Sequence, residues 1–196
     1  MLTRTFQRRN LPHLYYNEGQ YFITYRLANS IPEGLLRELY KQVYALAPGD
    51  DRDRLLFKGY DSLLDKSAYC NNYLLRPEIA EIVRCTLIYP DGKDYRLICY
   101  CIMPNHVHLI FELLQQNKGV SKIMQSIKRV SAKEANKILG REGIFWQSES
   151  FDRLIREEKE LYDKVKYVLL NPVDAGLCEN WQEWKYTYCH PDFVVI

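Results

Sequence analysis

The chain has 196 residues and a formal net charge of +2, with 47% hydrophobic and 27% charged residues. This composition is typical of an ordinary globular domain, and the charge is too small to indicate nucleic-acid binding by itself. No run approaches the roughly 20 consecutive apolar residues that a membrane helix needs. The six cysteines form no CxxC pair, so we expect reduced thiols, a cytoplasmic protein and no membrane partner.

Strand and helix patterns alternate along the chain. Aromatic and β-branched residues predict a strand over 19–27, and helical spacing predicts helices over 32–46, 51–66 and 76–88. Strands at 94–103 and 106–113 follow, then a helix over 119–139 and strand character near 151–155. A last helix, roughly 158–170, is expected to end at Asn171-Pro172, because a residue before proline avoids helical backbone. The order predicts an α+β fold, an antiparallel sheet with helices packed on one face.

Two of the four histidines, His106 and His108, lie within the apolar run CIMPNHVHLIFEL. Alternate residues of a strand share a face, so both imidazoles point one way while Val107 and Leu109 point the other. With their Cα atoms about 7 Å apart, both rings can lean toward one divalent metal ion. Two histidines on an exposed sheet face, without a metal, are an equally open interpretation.

The last predicted helix carries a tyrosine away from its apolar side. At about 100° per residue, Tyr167 lies roughly 145° from the centre of that side, and Lys164 and Asn171 share its face. One interpretation is a solvated face with an incidental tyrosine. The other is a nucleophile one turn from an amide ligand, although a phenol with a pKa of about 10 needs activation.

Five segments resemble, in order, the motifs of the REP-associated tyrosine transposases within the single-tyrosine HUH, or IS200-like, transposase family. They are YFITYRL, MPNHVHLIFEL, SIKRVSAKEANKI, FWQSESFDRLIR and YVLLNPVDAGL, within roughly residues 12 to 178. His-Val-His alone would be unspecific, whereas the ordered set that ends in YVLLNPVDAGL is highly specific. The His106-Val107-His108 triplet is similar to the HUH motif, in which U is a bulky apolar residue.

The resemblance implies a ferredoxin-like fold with the histidine pair on a central strand and the nucleophile on a late helix. It implies that His106, His108 and Asn171 bind Mg²⁺ or Mn²⁺ and that Tyr167 attacks a DNA phosphate, so that the histidine pair and Tyr167 are catalytic. The activity that it implies is nicking and joining of single-stranded DNA beside hairpin repeats, by a transposase that links DNA to tyrosine. We expect one such domain over residues 1–196, as a monomer or homodimer, with a helical insert around 32–90 and a C-terminal tail from about 179.

Basic residues suggest where DNA is held. Along the helix 119–139, Lys118, Lys122, Arg129, Lys133 and Lys137 fall near one face, and the apolar Val120, Ile123, Met124, Ile127 and Ile138 fall opposite. A basic stripe of this kind suits a phosphate backbone, although a solvated charged face is the commoner meaning. Arg8, Arg9 and Lys164 are further expected DNA contacts.

Two other functions stay open. A hairpin-binding or regulatory protein could keep this fold without transposing DNA. A small-molecule metallohydrolase could use His106 and His108, but the sequence has no third histidine near them and no HExxH motif, and the basic stripe would then have no role.

Overall fold

A five-stranded antiparallel sheet organises the computed structural model, which describes residues 5–8, 12–15, 18–46, 50–65 and 71–194. The strands are β1 (Thr5–Arg8), β2 (Pro12–Tyr15), β3 (Gly19–Arg26), β4 (Tyr95–Ile102), β5 (His106–Leu113), β6 (Phe151–Ile155) and β7 (Thr187–Cys189). Strands β1 and β2 pair separately, and the other five follow the order β6-β3-β5-β4-β7. The predicted histidine strand β5 is therefore the central strand of an α+β fold.

In the described part of the chain, five α-helices accompany the sheet, and four of them have the predicted positions. They are α1 (Glu33–Leu46), α2 (Asp50–Asp65), α3 (Pro77–Ile88), α4 (Val120–Ile138) and α5 (Glu158–Asp174). The predicted end of α5 at Asn171-Pro172 was wrong. Proline removes one helical hydrogen bond, but the next ones form, from the Ala175 amide to the Asn171 carbonyl (3.0 Å) and from the Leu177 amide to the Pro172 carbonyl (2.9 Å). None of the helices in these described ranges is long and apolar enough to cross a membrane.

Helices cover both faces of the sheet, which corrects the expectation of one covered face. Tyr21 and Ile23 belong to an apolar cluster with α3 and α4, whereas Phe22 and Ile110 belong to a second cluster with α5. The central strands are apolar on both sides, so each side must be shielded from water. On α4, Ile138 is 43% exposed rather than packed on the sheet, because it lies in the last turn, beyond the buried Ala135.

Helices α1 and α2 form the helical hairpin that we call the insert. They approach so closely at Gly59 that an added Cβ would lie 2.3 Å from Cδ1 of Leu39. Two polar contacts anchor α2 to the sheet: the Asn105 amide donates to the Leu64 carbonyl (2.9 Å), and Nε of Arg26 donates to the Tyr60 hydroxyl (2.7 Å). The insert is thereby held against the end of the sheet that carries the histidines.

The C-terminal segment completes the sheet. Strand β7 pairs with β4, and the Trp184 indole donates to the Ile102 carbonyl at 2.9 Å. The predicted tail from about residue 179 therefore supplies an edge strand that lies two positions from β5.

Candidate active site

The histidine pair is buried at the beginning of the central strand β5. His106 and His108 are 1% and 0% exposed, so the alternative of two histidines on an exposed sheet face is excluded. Nδ1 of His106 lies 2.6 Å from the amide oxygen of Asn105, and Nδ1 of His108 lies 2.8 Å from the Thr24 hydroxyl. An amide oxygen only accepts, so Nδ1 of His106 carries its proton and Nε2 keeps a lone pair.

The two Nε2 atoms face each other at 3.0 Å. Two ligands on adjacent corners of an octahedron, each about 2.1 Å from the ion, lie about 3 Å apart, so the spacing fits one divalent cation. Burial lowers the pKa of His106 to about 3 and holds the pKa of His108 well below its usual value. Both imidazoles are therefore neutral at physiological pH, which is the form that binds metal.

Asp61 of the insert brings a carboxylate to the same place. One ligand atom each from Asp61, His106 and His108 lie within 4.8 Å of one another, and Oδ1 of Asp61 is 3.5 Å from Nε2 of His108. Among the described residues, this oxygen is a buried acceptor without a hydrogen bond, as expected for an atom that faces a cation. Burial raises the pKa of Asp61 to about 7. These three residues can hold a divalent metal ion.

Sequence reasoning missed Asp61, although the sequence contained a signal. Phe57, Tyr60, Asp61 and Leu64 recur at helical spacing, so the predicted helix places an acidic residue inside its own apolar stripe. A carboxylate at such a position is rare unless it has a partner or a ligand. This signal lies in the insert, about 45 residues before the histidine motif, and nothing local connects the two segments.

Tyr167 lies next to the histidine pair. Its hydroxyl is 3.4 Å from Nε2 of His108 and accepts from the Asn171 amide at 3.3 Å. Its ring packs edge-on against Phe22 and Phe57, with centroids 6.0 and 5.4 Å away. The tyrosine that the helical angles singled out therefore points into the site and not to open solvent.

The surroundings of Tyr167 oppose its ionisation. Burial raises the pKa of the phenol far above its ordinary value, and the Asp61 carboxylate raises it further. Lys164 lies over the rings of Phe57 and Phe22, at 4.2 and 4.7 Å, and burial lowers its pKa to about 8. Cationic charge from a metal ion and from Lys164 is what would offset this cost.

Asn171 is buried on the Tyr167 side of α5, and its amide oxygen has no hydrogen-bond partner among the described residues. The amide nitrogen of Asn171 donates to the Tyr167 hydroxyl and not to a histidine or to Asp61. Its role as a metal ligand therefore stays a prediction. The further candidate ligand that the geometry adds is the carboxylate of Asp61.

The predicted DNA-binding cations are dispersed. Lys122, Arg129, Lys133 and Lys137 are exposed on α4, on the opposite side of the sheet from the histidines. Lys118 forms a 2.9 Å ion pair with Asp94. Arg8 ends β1 and Arg9 lies outside the described residues, whereas Lys164 lies beside Tyr167.

A buried histidine pair on a central antiparallel strand, beside a tyrosine on a packed helix, places a phenol next to a candidate metal site. Residues 69–168, about half of the chain, match the family described as Transposase IS200 like. The chain belongs to the IS200-like transposase family.

The chain is also similar to REP-associated tyrosine transposases. It is 28% identical over 111 residues to one from Haemophilus influenzae, which covers 52% of this chain and 63% of that protein. It is 25% identical over 100 residues to one from Escherichia coli K12, which covers 51% and 58% respectively. The matches thus span roughly three fifths of these relatives. The fold is similar to a solved REP-associated tyrosine transposase bound to a REP hairpin, with a TM-score of 0.58 and 18% identity over 92% of this chain and 81% of that one.

Proposed function

We propose that this protein cleaves and rejoins single-stranded DNA through a covalent 5′-phosphotyrosine at Tyr167, with a divalent metal ion held by His106, His108 and Asp61. The observation that supports this most is the 3.4 Å approach of the Tyr167 hydroxyl to Nε2 of His108. A nucleophile and a cation site that share one buried position are suited to an in-line attack on a phosphate.

In the proposed step, Oη of Tyr167 forms a bond to phosphorus and the bond from phosphorus to O3′ breaks. The phenol gives up its proton, and the departing oxygen takes one up and leaves as a free 3′-OH. A second 3′-OH can then attack the phosphotyrosine and join strands without ATP, because each step exchanges one phosphoester for another. Bound Mg²⁺ or Mn²⁺ would polarise the scissile phosphate and stabilise the charge that develops on it.

The residues around Tyr167 prepare it for this attack. The Asn171 amide donates to the phenol oxygen at 3.3 Å and helps to fix its position above α5. The rings of Phe22 and Phe57 restrict the tyrosine to one direction and exclude water from its other sides. Lys164 places a positive charge where the phosphate arrives.

The proposed substrate is single-stranded DNA that carries a hairpin of the REP type, since the similar proteins are REP-associated and the similar structure holds a REP hairpin. We assign the exposed α4 cations, Lys122, Arg129, Lys133 and Lys137, to the backbone of the hairpin stem, because they lie across the sheet from the cleavage site. Arg8 and Arg9 stay expected DNA contacts.

The test is covalent capture. Wild-type protein is incubated with Mn²⁺ and a hairpin oligonucleotide taken from repeats beside its gene, with a nick that releases the leaving strand, and the products are separated on a denaturing gel. We expect a protein–DNA adduct that disappears in Tyr167→Phe. Tyr162→Phe is the matched control, because Tyr162 lies on the same helix but is 44% exposed.

An adduct in Tyr167→Phe would refute the assignment of the nucleophile. Hairpin binding by the wild type without an adduct on any of these substrates would instead favour the second function, a hairpin-binding protein that does not transpose DNA.

A further inference from the structure

A polar cavity lined by Arg26 and Tyr60 lies next to the candidate metal site. Arg26 of β3 pairs across the strands with His106, and Tyr60 of α2 directly precedes Asp61. Asp61 faces the histidines, whereas Tyr60 accepts a hydrogen bond from Arg26, and these two residues line a cavity of about 240 Å³. This Arg26 cavity is thus a close neighbour of the proposed cleavage point.

The guanidinium of Arg26 is 3% exposed and has only neutral partners. It donates to the Tyr60 hydroxyl at 2.7 Å, to the Ser30 hydroxyl at 3.1 Å and weakly to the Leu27 carbonyl at 3.5 Å. In the described part of the chain, no carboxylate lies within 4.0 Å of it, and its Nη2 group donates no hydrogen bond. Burial of a cation whose direct hydrogen-bond partners are all neutral is costly, so an electron-rich ligand in the cavity would be stabilised.

The walls of the cavity favour a nucleobase over a phosphate. Tyr40, which is half-buried, provides an aromatic ring on which a base can stack. The carboxylates of Glu33 and Glu149 also line it and would repel a phosphate. A volume near 240 Å³ is enough for one base and too small for a folded strand. The Arg26 guanidinium would then donate to the carbonyl or ring-nitrogen acceptors of that base.

From the cavity, one face of α1 continues outward over the surface. Tyr40 lines both the cavity and the outer groove, where Arg37, Lys41 and Tyr44 follow at helical spacing. The rings of Tyr40 and Tyr44 have centroids 6.3 Å apart. Arg37 pairs with Glu33, but both side chains are at least 80% exposed, and such a pair contributes little and can be exchanged for a phosphate. Interleaved aromatic and basic residues are typical of surfaces that bind single strands.

We propose that these five residues, Arg26, Arg37, Tyr40, Lys41 and Tyr44, form an insert surface that binds the single-stranded DNA flanking the scissile phosphate, with one unpaired base in the Arg26 cavity. That this DNA flanks the scissile phosphate rests on the function proposed above. The insert then has two roles: Asp61 contributes to the metal site, and α1 guides the strand into it. The α4 cations, across the sheet, would leave single-strand binding unaffected.

The test is equilibrium binding of fluorescent oligo(dT) and of an abasic oligomer of equal length, measured by anisotropy in EDTA with full-length protein. All variants carry Tyr167→Phe to prevent covalent capture. We expect Tyr40→Ala/Tyr44→Ala to weaken oligo(dT) binding about tenfold or more, and wild type to bind the abasic oligomer more weakly by a similar factor. Tyr44→Ala alone, at a 52% exposed position, should show part of the loss without a folding defect.

The matched pair of charge variants separates the two surfaces. Arg37→Ala/Lys41→Ala should reduce the slope of log affinity against log salt by about 1.4, the value for two phosphate contacts on a single strand. Lys133→Ala/Lys137→Ala on α4 should leave oligo(dT) binding unchanged. The proposal is overturned if the α4 double variant loses as much oligo(dT) affinity as the α1 double variant, or if the tyrosine variants bind oligo(dT) like the wild type. It is also overturned if the abasic oligomer binds as tightly as oligo(dT). None of these readouts depends on cleavage, so the outcome is independent of the adduct assay.

Discussion

Replacing Asp61 by asparagine should stabilise the metal-free protein while weakening metal binding. Burial raises the pKa of Asp61 from its ordinary 3.8 to about 7. Between these values the folded protein binds more protons than the unfolded chain, so the free energy of unfolding falls as the pH rises from about 4 to 7. Three pKa units correspond to about 4 kcal/mol. Asparagine has nearly the same shape and no charge, so it avoids this penalty.

At pH 8 in EDTA, we therefore expect Asp61→Asn to be more stable than the wild type by as much as about 4 kcal/mol. At pH 5, where the folded wild type is already protonated at Asp61, the difference should shrink to less than about 2 kcal/mol. Urea unfolding at both pH values measures these differences, with wild-type protein in the same buffers as the reference.

Addition of Mn²⁺ at pH 8 should narrow the difference in stability by about 2.3 kcal/mol. At a concentration 100 times its Kd, the ion stabilises the wild type by about 2.7 kcal/mol. Loss of a direct ligand should raise the Kd for Mn²⁺ by about 100-fold, which is the upper end of the effect of removing a residue that only hydrogen-bonds to a ligand. At the same Mn²⁺ concentration, the variant would gain only about 0.4 kcal/mol. A variant that is less stable than the wild type in EDTA, or that gains as much from Mn²⁺, would refute the role assigned to Asp61.

Three further outcomes are expected. The apparent Mn²⁺ affinity of the wild type, measured by calorimetry, should fall about tenfold per pH unit below pH 7 as Asp61 becomes protonated, and a flat profile would contradict this. Thr24→Val removes the hydrogen bond to Nδ1 of His108 and should weaken Mn²⁺ binding about 10- to 100-fold, whereas Thr24→Ser should retain it. Ser131→Ala leaves the buried Trp146 indole without its acceptor and should cost about 1–3 kcal/mol in urea unfolding, with no effect on adduct formation.

Local periodicity predicted most of the secondary structure. The alternation in HVHLIFEL places His106 and His108 on one face of β5, and that assignment is confirmed. The angles along α5 singled out Tyr167 before any tertiary contact was known, and its hydroxyl lies beside His108. Such patterns succeed because a strand or helix fixes which neighbours share a face.

The sequence was less informative wherever two distant elements had to meet. Asp61 reaches the histidines only because α2 folds over the end of the sheet, which depends on the Asn105 and Tyr60 hydrogen bonds. The sequence also could not predict that α4 lies across the sheet from Tyr167. A basic stripe indicates which side of a helix faces solvent, but not which face of the sheet the helix covers. The continuation of α5 through Pro172 depends on tertiary packing that overrides a local preference.

Anomalous diffraction from crystals grown with Mn²⁺ tests the central claim most directly. We predict one strong peak between the Nε2 atoms of His106 and His108 and the carboxylate of Asp61, with the Tyr167 hydroxyl beside it. A peak bound elsewhere, or no peak at this position under saturating Mn²⁺, would contradict the metal-dependent phosphotyrosine mechanism proposed for this chain.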